Sequence, residues 1–263
     1  MSTQAKPGST IPMSVEKPAA AVKIFADTKE VSRAAAEQFV KLARRSIETK
    51  GEFDVALAGG STPRATYEIL ARNSAKLPWE KVHIFFGDER CVPPEHSDSN
   101  YGMARDALLA RVAIPANNVH RMKGEVDAPA AAEQYEGELR RHFRLGNGDL
   151  PRFDLVLLGM GDDGHTLSLF PGSVALTETS RPVVANWVEK FQQHRLTLTF
   201  PVVNNAAEII FLVAGAAKAK VIGEIFGRNP PTDRYPVQKV RPSAGQILWL
   251  LDRTAAQGLK RNG

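Results

Sequence analysis

Short apolar runs alternate along this chain with longer segments in which apolar residues recur every three to five positions. Apolar runs bounded by glycine or polar residues are typical of strands buried on both faces of a parallel sheet. The segments between them have the spacing of amphipathic helices; Val31, Ala35 and Phe39, for example, share one helical face. The alternation predicts an α/β fold, namely a single doubly wound, Rossmann-like domain with a mainly parallel sheet.

The pattern also gives approximate bounds for the elements. Strands are predicted over residues 21–25, 53–58, 82–86, 153–158, 182–185, 195–200, 209–214 and 247–251. Helices are predicted after a cap at Asp27 or Thr28, over 63–73, 100–110 and 130–143, after Gly215, and from Asp252 onward. We expect an irregular connection over 227–245, one α/β domain over 21–263, and a disordered tail over 1–20.

The most informative stretch is Phe153–Ser173, in which a predicted strand leads into a glycine-rich loop that carries His165. Open α/β sheets bind ligands at the carboxyl ends of their strands, which makes this imidazole a candidate functional group. The loop also matches the dinucleotide pattern G-x-G-x-x-G. Asp162 and Asp163 would repel a pyrophosphate, however, and Pro171 allows only a very short helix after the glycines. The sequence therefore argues against a dinucleotide site.

A second small-residue loop follows the strand predicted over 53–58. It consists of Gly59, Gly60, Ser61 and Thr62, with Pro63 at the expected first position of a helix. Free amides at a helix start, together with the positive end of the helix dipole, favour binding of an anion such as phosphate. Ordinary turn and N-cap chemistry is the alternative explanation of the same residues. The loop is not a Walker A motif, because that spacing and its lysine are missing.

Charged side chains follow two other predicted strands. Asp88, Glu89 and Arg90 come directly after a buried strand, where charges are costly unless they are solvated, paired or used. Arg90 suits a sugar phosphate, because its guanidinium makes bidentate bonds to such oxygens; an ion pair on a solvated loop is the alternative. Lys218 and Lys220 fall in the first turn of a predicted helix, where at most one can face a given ligand. Solvated surface lysines remain the alternative there.

Composition narrows the class of partner. Apolar residues make up 43% and charged residues 24% of the 263, and the net charge is +5, which suits an anionic small molecule or simply a basic globular protein. No basic–aromatic patch supports nucleic-acid binding, and no apolar run is long enough to span a membrane. The single Cys91 and the absence of a secretory signal favour the cytoplasm. The sequence does not define an oligomeric state and is compatible with a monomer.

Five motifs occur together in a fixed order. They are Gly59–Pro63 (GGSTP), Gly87–Arg90 (GDER) with Ser99–Asn100, Gly159–Gly172 (GMGDDGHTLSLFPG), Gly215–Lys218 (GAAK) and Trp249–Asp252 (WLLD). This set resembles the 6-phosphogluconolactonase family over about residues 20–258. The resemblance implies the fold of glucosamine-6-phosphate deaminases and ribose-5-phosphate isomerases. One departure is Val237, which follows Pro236 where the family more often has a small residue.

The resemblance also implies an activity, the hydrolysis of 6-phospho-D-glucono-1,5-lactone to 6-phosphogluconate in the oxidative pentose phosphate pathway, without a metal or other cofactor. It implies catalytic roles for His165, as the general base that activates water, and for Arg90. The residues it matches to substrate or phosphate binding are Gly59, Gly60, Ser61, Thr62, Arg90, Asn100, Asp163, Gly164, Thr166 and Lys218. The remaining histidines are expected to be structural: His83, His96, His120, His142 and His194.

Two other functions are compatible with the same scaffold. A glucosamine-6-phosphate deaminase typically continues from its Asp-Gly-His core into His-Ile-Ala-Phe-Asn-Glu-Pro, whereas this chain continues Thr166–Gly172 (TLSLFPG) and lacks that glutamate. A non-catalytic sugar-phosphate sensor would bind the ligand without turnover, and the intact His165 and Arg90 argue against it. A covalent acyl-enzyme is disfavoured, because there is one cysteine and no G-x-S-x-G serine.

Overall fold

Ten strands are present in the computed structural model, which describes residues 20–227, 230–231 and 233–259. They are β1 (Ala21–Phe25), β2 (Phe53–Leu57), β3 (Val82–Phe86), β4 (Asp88–Arg90), β5 (Val119–His120), β6 (Leu155–Leu158), β7 (Val183–Val188), β8 (Gln193–Leu198), β9 (Glu208–Val213) and β10 (Gln246–Asp252). Seven form one parallel sheet in the order β1-β10-β9-β6-β2-β3-β5. The predicted doubly wound α/β fold with a parallel sheet is thereby confirmed.

Six α-helices accompany the strands in the described residues. They are α1 (Thr28–Lys50), α2 (Ser61–Arg72), α3 (Asn100–Ala107), α4 (Ala128–His142), α5 (Phe200–Asn205) and α6 (Ala219–Ile225). Helix α1 starts as predicted, since Asp27 accepts a hydrogen bond from the Glu30 amide, and after Lys50 it is capped by Gly51, which has φ of 92°. The inward face of α1, including the fully buried Val31 and Phe39, packs on the sheet core.

The order of the central strands creates a crevice between β2 and β6. The chain leaves β2 toward its neighbour β3 on one side and leaves β6 toward its neighbour β9 on the other. Such a reversal is the switch point at which open α/β sheets bind ligands, outside the carboxyl ends of the strands. The loops with the predicted functional residues follow β2, β3, β6 and β9, which are adjacent in the sheet.

A second, three-stranded antiparallel sheet was not predicted. Its order is β4-β8-β7, so residues 183–188 and 193–198 form a hairpin outside the parallel sheet. Its third strand is Asp88–Arg90, a segment for which no strand was predicted; it pairs with β8, with Arg90 opposite Arg195. The charges are tolerated in this strand because Asp88 and Glu89, although buried, have polar partners described below.

Several predicted helix bounds are wrong. Helix α2 begins at Ser61 after the N-cap Gly60, so Pro63 occupies the third helical position rather than the first. The helix predicted from Asp252 is only a 3-10 turn at Ala255–Gly258 in the described residues, because Asp252 still belongs to β10. The predicted disordered tail lies outside the described residues except for Ala20. Across residues 20–227, 230–231 and 233–259, none of the helices has the length and apolarity needed to cross a bilayer.

Candidate active site

A polar cavity of about 240 Å³ opens at the carboxyl ends of the central strands. Seven of the predicted site residues line it: Gly59, Gly60, Arg90, Asn100, His165, Thr166 and Lys218. The cavity also takes in residues that were not predicted as site residues: Ala58, Asp88, Gly159, Met160, Gly161 and Leu167. These six adjoin the predicted motifs in sequence, so proximity to a motif was the signal that could have identified them.

Four predicted site residues do not line the cavity. Ser61 is exposed, and Thr62 is buried in α2 with its carbonyl accepting hydrogen bonds from Ser32 and Thr66. Asp163 lies behind His165 rather than in the cavity. Gly164 turns the loop with φ of 75°. These four residues therefore adjoin the cavity in sequence without forming part of its lining.

Tyrosine hydroxyls from two helices bind the backbone at the ends of two central strands, where the site loops begin. Tyr67 of α2 accepts a hydrogen bond from the Ala58 amide and donates one to the Ala58 carbonyl. Tyr135 of α4 makes the same pair of bonds with Phe86. Both tyrosines are buried, so each hydroxyl replaces the sheet partner that these backbone groups lack. The loops after Ala58 and Phe86 therefore start from fixed positions.

His165 is held by a carboxylate on one side and an aromatic ring on the other. Its Nδ1 lies 2.5 Å from Asp163 Oδ1, and its backbone amide donates to the same oxygen at 3.1 Å. The imidazole stacks on Phe170 with ring centroids 4.0 Å apart. Because an ionised carboxylate only accepts hydrogen bonds, the proton of a neutral imidazole is assigned to Nδ1, which leaves the Nε2 lone pair unprotonated.

The pKa of the Asp163 carboxyl supports this assignment. Burial favours the neutral acid, but hydrogen bonds from the His165 imidazole and amide outweigh burial and lower the pKa of Asp163. Lys190, whose Nζ lies 3.7 Å from Asp163 Oδ2, acts in the same direction. Asp163 is therefore anionic at neutral pH, and it can both orient the ring and stabilise an imidazolium.

Side chains from other residues lie so close to Gly161, in the histidine loop, and to Gly59, after β2, that neither position has room for a Cβ. A Cβ added to Gly161 would lie 2.1 Å from His165 Nδ1, and one added to Gly59 would lie 1.9 Å from Asn100 Oδ1. Both distances are far below van der Waals contact, so each position requires glycine while the imidazole and the Asn100 side chain stay in place. The glycines thus allow polar groups from other segments to reach the cavity.

The start of α2 offers unpaired amides. Among the described residues, none of the four amides from Gly59 to Thr62 donates to another group of the chain. The N-cap Gly60 contributes no side chain that could satisfy them, and it has φ of 107°. Amides of this kind at the start of a 12-residue helix attract an anion through both hydrogen bonding and the helix dipole.

Cationic side chains face the same cavity. Arg90 donates from Nη1 to the Asp98 carbonyl at 2.5 Å, while its buried Nε has no partner in the described part of the chain. Arg195 does not line the cavity but lies opposite Arg90 in the β4–β8 pairing. Burial and the neighbouring Arg90 charge lower the pKa of Arg195. The two guanidinium charges make this side of the cavity electropositive.

Lys218 is the second cation in the cavity lining, and Lys220 is absent from that lining. This agrees with the expectation that at most one of them faces the site. Lys218 ends a 3-10 turn at Ala216–Lys218 and forms the N-cap of α6, rather than lying in its first turn as predicted. Gly215 before it is anchored, since its amide donates to Asp252.

Two buried carboxylates position the Arg90 strand and the start of α3. Glu89 accepts hydrogen bonds from the amides of Arg90, Asn100 and Tyr101. Burial raises the pKa of Glu89, and these backbone bonds only partly offset that shift. Asp88 accepts from Ser168 Oγ at 2.7 Å and from Asn100 Nδ2 at 3.3 Å. Asn100 is therefore oriented by both acids.

The backbone of the histidine loop is strained at one residue. Leu167 has φ of 54°, a left-handed conformation that costs a bulky residue about 1–3 kcal/mol. The conformation persists because its neighbours are fixed: Thr166 Oγ1 donates to the Gly159 carbonyl, and Ser168 Oγ donates to Asp88. The strained residue, Leu167, lies in the lining of the cavity.

These groups define a class of protein. The switch point of a parallel α/β sheet combines unpaired amides, a guanidinium and an ammonium with an imidazole that is paired to a carboxylate. Such an arrangement is chemically suited to a small anionic ligand, next to an imidazole with an unprotonated ring nitrogen. The class is an α/β protein with a polar, partly cationic cavity at the switch point of its sheet.

The chain belongs to the family described as glucosamine-6-phosphate isomerases/6-phosphogluconolactonase, whose sequence profile matches residues 26–249. It is 46% identical over 217 residues to the 6-phosphogluconolactonase of Synechocystis, covering 82% of this chain and 88% of that protein. It is 37% identical over 251 residues to the 6-phosphogluconolactonase of Mycobacterium tuberculosis, covering 90% and 98%.

Solved structures agree with this relationship. The 6-phosphogluconolactonase of Trypanosoma cruzi superimposes with a TM-score of 0.84 at 30% identity, covering 93% of this chain and 98% of that one. A monomeric glucosamine-6-phosphate deaminase superimposes with a TM-score of 0.75 at 21% identity, a likeness that concerns the fold alone. The family resemblance inferred from the ordered motifs is confirmed.

Proposed function

We propose that this chain hydrolyses 6-phospho-D-glucono-1,5-lactone to 6-phosphogluconate, with His165 as the general base. The observation that carries the proposal is the acid-paired imidazole, which lines one cavity together with the unpaired glycine-loop amides and two cations. The 6-phosphogluconolactonase relatives give the substrate class. We further propose that residues 21–263 act as one catalytic domain, because the cavity draws on strands from both halves of the sheet.

The proposed reaction is a direct attack by water on the lactone carbonyl. His165 Nε2 takes a proton from the water as its oxygen bonds to C1, while Asp163 stabilises the imidazolium that forms. The bond between C1 and the ring oxygen then breaks, and the imidazolium returns its proton to that oxygen. Substrate and water are thus converted to the hydroxy acid, and the histidine returns to its initial state.

The remaining groups have two proposed roles, binding of the substrate's phosphate and stabilisation of the oxyanion. The amides from Gly59 to Thr62 and Lys218 are the proposed phosphate contacts, since they combine directed donors with a charge. Arg90 is the proposed donor to the oxyanion that develops at the carbonyl. In this scheme the side chains and amides supply all the polarisation, so we propose that the reaction uses neither a metal nor another cofactor.

We also propose that the protein acts in the cytoplasm. Cys91, the one cysteine of the chain, is a free thiol, and this is consistent with a reducing cytoplasm.

The first test replaces the base. His165→Gln replaces the imidazole with a polar amide that cannot accept the proton, so kcat for the phosphorylated lactone should fall by about 10²–10⁴-fold. Production of 6-phosphogluconate is followed by coupled assay, with EDTA present, at a pH where spontaneous ring opening is slow. Turnover near the wild-type rate in the variant would refute the assignment of His165, and loss of wild-type activity in EDTA would contradict the metal-free scheme.

Lys218 and Lys220 provide a matched pair for the phosphate contact. Lys218→Ala should raise KM for the phosphorylated lactone about tenfold, the effect of losing roughly 1.4 kcal/mol of binding, while Lys220→Ala leaves KM unchanged. Unphosphorylated gluconolactone should be insensitive to both changes. An equal effect of Lys218→Ala on the two lactones would show that the ammonium does not contact phosphate.

A further inference from the structure

Three histidines converge at the opposite end of the parallel sheet, away from the proposed active site. His83 lies near the amino end of β3, His120 ends the short edge strand β5, and His142 is the last residue of α4. One ring nitrogen from each lies within 4.8 Å of the other two. From the sequence, each was interpreted as a lone structural histidine; 37 and 22 residues separate the three along the chain.

The spacing of two of these nitrogens suits a tetrahedral metal ion. His83 Nδ1 and His120 Nε2 are 3.3 Å apart. Two nitrogens that each bind Zn²⁺ at about 2.0–2.1 Å in tetrahedral geometry are separated by roughly 3.3 Å. The rings are also held in a fixed arrangement, since His120 stacks on Phe85 with centroids 4.1 Å apart and His142 packs 4.6 Å from His83.

Each imidazole has a carboxylate near a ring nitrogen. His120 Nδ1 lies 2.8 Å from Glu138 Oε1, which fixes the proton there and leaves the Nε2 lone pair toward His83. His142 Nε2 lies 2.7 Å from Asp54 Oδ1, and His83 Nε2 lies 4.0 Å from Glu52 Oε2. Carboxylates that accept the second N–H of a histidine are the usual outer partners of metal-bound imidazoles.

The surrounding charge favours a cation. Four carboxylates lie in this region: Glu52, Asp54, Glu138 and Asp154. Their cationic partner is Lys50, which contacts Asp54 at 2.6 Å and Asp154 at 3.0 Å. A divalent ion would therefore offset an excess of negative charge.

We propose that His83, His120 and His142 form a binding site for one Zn²⁺ ion. A water molecule completes the four-coordinate shell. The ion would join β3, β5 and α4, so its expected effect is on stability, because it binds the folded chain and not the unfolded one. Three residues of β3 (Ile84–Phe86) lie between His83 and the loop that carries Arg90, so turnover at 25 °C should not depend on the ion.

The experiment uses the full chain without a polyhistidine tag, stripped with EDTA and dialysed. Zn²⁺ is titrated in competition with a coloured chelator, and Co²⁺ is added separately to record visible absorption. We expect one equivalent bound, an intense tetrahedral Co²⁺ spectrum, and a Tm raised by about 5 °C or more at a free Zn²⁺ concentration 100 times the Kd. Binding of less than one equivalent, or an octahedral Co²⁺ spectrum, would overturn the proposal.

Variants locate the ion. His83→Gln should remove the tight site, and Glu138→Gln, which keeps the three ligands, should weaken binding by about 10–100-fold. His194→Gln, at an exposed histidine of β8, is the control and should bind like the wild type. Unchanged binding in His83→Gln would place the ion elsewhere, for instance at His165, and would refute this site. Lactonase assays of the same variants remain a separate readout, so failure of either proposal leaves the other intact.

Discussion

Asp163 determines what His165 can do, although the two side chains were assigned different roles from the sequence. The family resemblance matched the carboxylate to substrate binding, although a role in holding the imidazole was also compatible with the sequence; in the structure it is absent from the cavity lining and pairs with Nδ1. Sequence adjacency could not establish this, because the side-chain directions depend on the left-handed residues Gly164 and Leu167 within the same loop. The histidine itself was predictable, since it follows a buried strand and lies within a family motif.

Asp163→Asn tests the orienting role. The amide can present its NH₂ group to Nδ1 and favour the wrong tautomer, so kcat should fall by roughly 10²-fold or more while KM changes little. The control is Asp162→Asn, which removes the same charge from an exposed side chain of the same loop. Steady-state kinetics and the pH profile of kcat are measured for both. Equal losses in the two variants would indicate a general charge effect instead of an oriented imidazole.

At the scale of elements, the strand ends position the site loops. The sequence correctly indicated β2, β3, β6 and β9, because buried parallel strands form continuous apolar runs. It did not indicate β4, since three charged residues in a row contradict strand patterning. Asp88 and Glu89 are buried in β4 because segments distant in sequence, around Asn100 and Ser168, supply their hydrogen bonds. Such tertiary partners are invisible to a local pattern.

Tyr67→Phe tests the role of the hydroxyl that binds the backbone at the end of β2. Its loss leaves the buried amide and carbonyl of Ala58 unpaired, which should lower the free energy of unfolding by about 1–3 kcal/mol. Because Gly59 follows directly, KM for the phosphorylated lactone should rise as well. Urea unfolding and steady-state kinetics measure the two effects.

Tyr101→Phe is the control for loss of a hydroxyl, since the Tyr101 hydroxyl has no hydrogen bond to any of the described residues. It should leave stability and KM nearly unchanged. If Tyr67→Phe behaved like Tyr101→Phe, the hydroxyl would not be what fixes the end of β2.

Over the whole molecule, the two ends of the parallel sheet carry different chemistry. The carboxyl ends hold the acid–base cavity, and the amino ends hold a cluster of ion pairs around the buried Asp54. Asp54 joins α1, through Lys50, to α4, through His142. The sequence predicted the first end through its loop motifs, but the second arises from residues dispersed over the chain and was missed.

Asp54 makes stability dependent on pH. Burial favours its neutral form, but hydrogen bonds from His142 and Lys50 outweigh burial and lower the pKa of Asp54. A lowered carboxyl pKa adds stability above the unfolded value of about 3.9, and this stability is lost as pH falls through the folded value. Asp54→Asn should therefore cost about 1–3 kcal/mol of unfolding free energy at pH 7.

The difference in the free energy of unfolding between wild type and Asp54→Asn should shrink as the pH is lowered from about 5 toward the pKa of Asp54 in the folded chain, because the wild type then loses the same contribution. Urea unfolding in EDTA at several pH values measures it without a contribution from bound metal. A difference that stays constant over this range would show that the Asp54 charge is not the cause.

The close approaches at Gly59 and Gly161 have a consequence for how this pocket can diversify. The space that any side chain would need at these positions is already taken by Asn100 and His165. Random mutagenesis should therefore return almost no active variants at either glycine, because every replacement displaces a functional group. Changes in substrate preference would have to be acquired at other lining positions such as Met160, because the backbone at the two glycines has no room for a side chain.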